Sequence, residues 1–323
     1  MKYSAASLVI KSFAKLNLYL QVLSKRKDGF HNLNTLFARI DLADTLIFKR
    51  RKDGLIKFKC DSSQVPEDKT NLCYRAAALL KQEFNLDSGI EIALKKRIPV
   101  GAGLGGGSAN AASVLLGLNK LWNLNLSKNK LMNLGAKLGS DVPFFVQQVK
   151  FALGSQRGDK IKSLSSLNKA KLWFILIYPN FKVSTPLIYQ KFDAYLSAGR
   201  SFPQVAPHLA QIQDNKRLNI KQVAGLTRPR CDVKMLTSEL FKKGTVSDVK
   251  YLFNSLEVVT SNLYPAVYQA RNALSDMGLD RIMMSGSGPS VFAVCDSLAQ
   301  AQSLRNKLKK QHKAWQIFVV STV

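Results

Sequence analysis

Acidic residues are scarce in this 323-residue chain: 21 Asp and Glu stand against 48 Lys and Arg, a formal net charge of +27. That imbalance predicts a positive field that attracts anions, with nucleic acid and phosphorylated small molecules as the two candidate classes. Cysteine and histidine are also few, with four and three residues. Cys60, Cys73, Cys231 and Cys295 are scattered, with no C-x-x-C pair and no histidine at metal-ligand spacing. This excludes a structural zinc site and points to a reducing cytoplasm. Long apolar runs are missing as well: the longest, LWFILIYP at residues 172–179, is far too short to cross a bilayer. Lys11 and Lys15 interrupt the first twenty residues, which leaves no apolar region of a secretory signal. A cytoplasmic protein without a membrane partner is expected.

What is present is a globular composition, 46% hydrophobic and 21% charged, in a chain long enough for two domains rather than one. The basic residues are dispersed through LSKRKDG, IFKRRKDG, LKKRIP and RNKLKKQHKAW. These runs are mostly poor in the interleaved aromatics that a nucleic-acid surface needs, which leaves such a surface as the weaker reading. Alternation predicts strands over 8–23, 36–51 and 54–60, with turns at Asp28-Gly29 and Asp53-Gly54. Helical spacing at residues 72, 76, 79, 80 and 84 predicts a helix capped by Thr70 or Asn71. A strand from 89 then delivers the chain to a glycine-rich loop, which is followed by helices over about 109–122 and 127–139. Asp141 is expected in a loop whose exit Pro143 fixes. Further on, a strand near 172–179, a helix over 246–277, strands around a glycine turn at 281–295, a helix at 297–311 and a last strand at 314–321 are expected. Residues 197–232 show weak periodicity, and the domain boundary falls near 160–170.

The loop PVGAGLGGGSANAA carries five glycines among residues 101–107. Such a backbone is costly to order unless something must approach it closely. A Walker-type loop needs a Gly-Lys pair, and the chain has none. A dinucleotide fingerprint needs an acid about twenty residues on, yet no Asp or Glu occurs between Gly107 and Asp141. What remains is a loop whose exposed amides and following helix N-terminus hold an anion such as phosphate.

PVGAGLGGGSANAA resembles the phosphate-binding motif of the GHMP kinases (galacto-, homoserine, mevalonate and phosphomevalonate kinases). FAKLNLYLQVLSKRKDGFHNLNTLFARIDLADTL at 13–46 and MSGSGPSVFAVCD at 284–296 extend the likeness toward members of the family that phosphorylate a cytidine diphosphate-linked alcohol of isoprenoid synthesis. The resemblance runs over nearly the whole chain, is strongest to about residue 150 and weakest from 195 to 245. It implies a two-domain α+β fold, with an ATP-binding N-terminal domain over 1–165, a C-terminal domain over 166–323 and the active site in the cleft between them. It implies an ATP- and Mg²⁺-dependent small-molecule kinase with an alcohol as acceptor, monomeric or homodimeric. Lys15 and Asp141 match the catalytic pair, with Asp141 as the proton acceptor. Pro99 and the loop Gly101, Ala102, Gly103, Leu104, Gly105, Gly106, Gly107 and Ser108 match the ATP-phosphate site, with Ser108 near Mg²⁺, and Asn71 and Lys96 would line the nucleotide pocket. Asn17 would help to hold the substrate, Phe30 and Tyr189 would sandwich the cytosine, and His31 would read its edge. Gly286 and Gly288 would let the backbone approach the cleft. Asn110 stands where many relatives have Asp, so no metal-ligand role is placed on it. A different GHMP kinase, of homoserine or a mevalonate derivative, is the alternative. The aromatic and histidine of DGFH distinguish the two.

Overall fold

The computed structural model describes residues 7–197 and 252–323. Most of the weakly periodic stretch, and residues 246–251 of the helix expected from 246, lie outside the described residues. The first strands, β1 (Leu8–Lys25) and β2 (His31–Arg51), form a long antiparallel hairpin. Its turn is the expected Asp28-Gly29: Gly29 has φ +83°, and the Asp28 carboxylate accepts from the Phe30 amide at 3.2 Å. β2 starts five residues before the alternation suggested, at His31 rather than Leu36, because its register with β1 continues down to the Lys25–His31 pair. Phe30 and His31 are thereby placed at the turn end of the hairpin.

The first sheet runs β3 (Ile56–Cys60), β4 (Gly89–Lys95), β2, β1, β8 (Phe253–Asn254), with β5 (Phe151–Ser155) pairing β2 and β6 (Lys160–Ser163). One core lies between this sheet and four helices: α1 (Leu72–Glu83), α2 (Gly106–Leu121), α3 (Lys128–Leu138) and α4 (Val142–Gln147). The second sheet is wholly antiparallel, in the order β11 (Gln316–Ser321), β7 (Trp173–Tyr178), β10 (Val291–Cys295), β9 (Ile282–Met284). It is backed by α5 (Thr185–Ser197), α6 (Glu257–Leu263), α7 (Pro265–Asp276) and α8 (Leu298–Gln311). A third core joins the sheets: Ala14, Leu16 and Leu18 of β1 meet Phe174, Leu176 and Phe292. Since a strand alternates faces, Lys15 and Asn17 point the other way, toward the glycine loop.

Local chemistry sets most element ends. Ser127 and Ser297 cap α3 and α8 by accepting from Lys130 N at 3.2 Å and Gln300 N at 3.1 Å. Two expectations need correction. The single helix expected over 246–277 is, within the described residues, a two-residue strand and two helices. The break falls at Pro265, which supplies no amide to continue α6 and sits instead at the start of α7, where none is needed. α2 begins at Gly106 rather than near Ala109, so the end of the glycine run forms its first turn. As expected, Asp141 lies in the short loop between α3 and α4, at the N-cap position of α4, with Pro143 in the first turn.

Candidate active site

Every residue singled out above as catalytic, nucleotide-binding or substrate-binding, from Lys15 to Tyr189, lines one cleft of about 960 Å³. At its floor β1 shifts register between Phe13 and Lys15, and the Lys15 amide donates to the Leu104 carbonyl at 3.0 Å. A strand irregularity of this kind re-aims a side chain. Lys15 is 4% exposed, so it is no solvent-facing strand lysine. Its ammonium donates to Asn17 Oδ1 at 2.6 Å and to the Gly103 carbonyl at 3.1 Å, and lies 3.6 Å from Asp141 Oδ2. Burial lowers the Lys15 pKa, while the Asp141 carboxylate opposes that shift. Asn17 in turn donates to Thr35 Oγ1 at 2.7 Å, which fixes the face its amide presents.

The glycine loop is clamped between the two halves of the fold. Gly103 has φ +75°, and a Cβ there would stand 2.1 Å from the Ser285 carbonyl oxygen and 2.9 Å from that of Gly288. No larger residue fits. The turn carrying Gly286 and Gly288 therefore serves to bring backbone against backbone; Gly286 lines the cleft, and Gly288 packs behind the loop. From the other side, Val183 N donates to the Gly101 carbonyl at 3.2 Å. At the start of α2, Gly105 holds the N-cap in a left-handed conformation, with no side-chain cap and no acid in the first turn. The amides of Gly106, Gly107 and Ser108 precede the first intrahelical bond, from Ala109 N to Gly105 O at 2.9 Å. These open amides and the helix dipole face the cleft as an anion site.

The other end of the cleft is aromatic. Tyr189 on α5 stacks on the His31 ring, centroids 5.0 Å apart. Burial first, then the Asp141 charge, pushes the Tyr189 phenol up, so it stays protonated. Phe30 is half exposed at the mouth, with the Arg157 guanidinium 5.0 Å from its ring centroid. Asn71 and Lys96 line the cleft, but their polar groups are engaged elsewhere. Asn71 caps α1 through Cys73 N at 2.8 Å and donates to the Pro66 carbonyl at 2.7 Å. Lys96 pairs with Asp44 at 2.8 Å.

Two acids went unnoticed in the sequence. Asp193 accepts from His31 Nε2 at 2.6 Å and Lys25 Nζ at 2.8 Å; burial would raise its pKa, but these two partners hold it below the usual carboxylate value. Its signal was the i, i+4 spacing from Tyr189. Asp44 is completely buried, and an acid inside a strand pattern was its only mark. Among the described residues no cluster of three or more His, Cys, Asp or Glu could cage a metal. The Ser108 hydroxyl would supply one oxygen to a Mg²⁺ ion carried mainly on phosphate oxygens, the usual habit of that ion, while the amides of the helix start would hold those phosphates rather than the cation.

Comparison with known proteins gives a consistent result. The model of the GHMP kinases N terminal domain matches residues 71–148, and that of the GHMP kinases C terminal domain matches 239–314. A 4-diphosphocytidyl-2-C-methyl-D-erythritol kinase of Enterococcus faecalis is 37% identical over 92% of this chain and 93% of its own. One of Moorella thermoacetica is 38% identical over 94% and 96%. A crystal structure of 4-(cytidine 5'-diphospho)-2C-methyl-D-erythritol kinase superposes with a TM-score of 0.69, at 28% identity over 98% of this chain and all of the other. Mevalonate kinase of Methanococcus jannaschii shares the fold, with a TM-score of 0.68 at 14% identity and complete coverage of both chains.

Proposed function

This chain belongs to the 4-diphosphocytidyl-2-C-methyl-D-erythritol kinases within the GHMP kinases, and from that membership we propose that it transfers the γ-phosphoryl group of ATP to the 2-hydroxyl of 4-diphosphocytidyl-2-C-methyl-D-erythritol in non-mevalonate isoprenoid synthesis. The observation that carries the reading is the meeting, in one cleft, of the Lys15–Asp141 pair at 3.6 Å with the open amides of α2. Phosphoryl transfer asks the protein for little covalent chemistry. It asks for alignment and for positive charge where negative charge builds up.

The residues divide that work. Backbone amides from Gly101 to Ser108, at the positive end of the α2 dipole, hold the phosphates of ATP. Asp141 receives the proton of the attacking hydroxyl as its oxygen bonds to phosphorus, and the bond to the ADP oxygen breaks. Lys15 lies beside Asp141 and the transferring group, where its ammonium offsets charge. A Mg²⁺ ion, held by Ser108 and the phosphates, would supply further charge neutralisation there. Phe30 and Tyr189 flank the cytosine and His31 reads its edge, with Asn17 on the acceptor alcohol. We place the boundary of the ATP-binding part after residue 165, ahead of β7; of the chain beyond it, β8 returns to the first sheet.

The test is ADP release from purified protein given ATP, Mg²⁺ and a panel of alcohols: the cytidine substrate, its uridine analogue, homoserine and mevalonate. Uracil presents a carbonyl and an N–H where cytosine presents an amino group and a bare nitrogen, so pocket groups would be buried unpaired at about 1–3 kcal/mol each, roughly 5- to 150-fold in kcat/KM. Turnover confined to the cytidine compound is expected. Comparable rates on the uridine analogue, homoserine or mevalonate would overturn the assignment.

A further inference from the structure

The carboxylate of Asp44, on β2, is fully buried and receives four donors. Oδ1 accepts from the backbone amides of Arg97 at 2.7 Å and Ile98 at 2.8 Å. Oδ2 accepts from Lys96 Nζ at 2.8 Å and Asn110 Nδ2 at 3.0 Å. Three of these donors belong to the segment that leads into Pro99 and the glycine loop. The fourth lies on α2, just past the loop. One side chain therefore ties together the two ends of the loop, and it does so from behind, since Asp44 is not among the residues that line the cleft.

We infer that Asp44 is a positioning residue that holds the glycine loop and the start of α2 in the geometry that receives the ATP phosphates; this rests on the reading of that loop given above. The carboxylate is suited to the task because all four groups around it are donors and one carries a full charge. An amide of the same shape would turn an N–H toward Lys96 and Asn110, donor against donor, and leave the Lys96 ammonium, 9% exposed, without its counter-charge. The same arrangement accounts for the amide at position 110. Asn110 is 2% exposed, and its Oδ1 has no hydrogen-bond partner among the described residues, so Asp44 is what orients it. An acid at 110 would instead set one carboxylate about 3.0 Å from another.

Three variants test this: Asp44→Asn, Asn110→Asp, and the exchange of both together, which restores one carboxylate facing one amide. ATP binding is measured by calorimetry, both KM values by ADP release at neutral pH, and folding by thermal melting. Each single substitution is expected to raise KM and Kd for ATP by at least about tenfold, the scale of one lost charge-assisted hydrogen bond. KM for the cytidine diphosphate substrate should stay nearly unchanged, and the exchange should recover part of the ATP affinity, because it repairs the contact between positions 44 and 110 while Lys96 still faces an amide. Should Asp44→Asn fail to fold, Asn110→Asp and the exchange carry the test. Folded variants that bind ATP like the wild type, a parallel rise of both KM values, or an exchange that recovers nothing would each overturn the inference. If the wild type itself bound no ATP, the functional reading would fall first, which is a separate outcome.

Discussion

Asp141→Asn separates chemistry from stability at the centre of the site. Asn keeps the size of the side chain and removes the charge that faces the buried Lys15 ammonium at 3.6 Å. At an effective dielectric constant of about 20, two unit charges at that distance attract by roughly 4–5 kcal/mol. The net cost of removing one of them is smaller, because Asp141 is 32% exposed and water screens it. A loss of about 1–2 kcal/mol is expected, below the roughly 3–5 kcal/mol for a fully buried pair. The pH dependence has a definite sign. Burial already lowers the Lys15 pKa, and Asp141 is what opposes that shift, so the substitution lowers it further. A lysine whose pKa is depressed on folding binds fewer protons in the native state, so its contribution to stability improves as pH rises toward the ordinary lysine value. The variant should therefore show a steeper gain in melting temperature with rising pH than the wild type. Turnover should fall at least about 100-fold, the usual scale for a positioned base, with KM for ATP little changed. Adding Lys15→Met removes the stranded ammonium. It should restore part of the lost stability and none of the lost turnover. Turnover near the wild-type level in Asp141→Asn would remove this residue from proton transfer. A flat pH dependence of the stability difference would refute the electrostatic account of the pair.

Gly103→Ala should abolish productive ATP binding, because the new Cβ would meet the Ser285 carbonyl at 2.1 Å on a backbone at φ +75°. Gly278→Ala, with φ +83° and open space around it, should cost only the backbone term of about 1–2 kcal/mol; comparing the two by melting and by KM for ATP isolates the clash. Phe30→Ala should raise KM for the cytidine substrate several-fold and leave KM for ATP alone, since base stacking of about 1–3 kcal/mol belongs to one ligand. Equal effects on both would deny Phe30 its place at the base.

The chain itself settled what depends on local chemistry. Five glycines in seven positions announce a backbone that something must approach, and the missing Gly-Lys pair and missing downstream acid narrow that something to a phosphate held by amides alone. Alternation along β1 sets Lys15 and Asn17 on one face, and DG marks the turn that carries Phe30 and His31 to the cleft. Tertiary structure decided what depends on partners far away in the chain. The resemblance pairs Lys15 with Asp141, but that its ammonium is buried appears only when the loop and Asp141 close over it, because burial is a property of packing and not of neighbours in sequence. Pro265 breaks one expected helix into two, where the spacing of apolar residues alone could not locate the break. Asp44 and Asp193 look like ordinary acids of a strand and a helix. They acquire their positions behind the glycine loop and behind His31 only when segments distant in sequence converge, and no periodicity records which donors a buried carboxylate will meet.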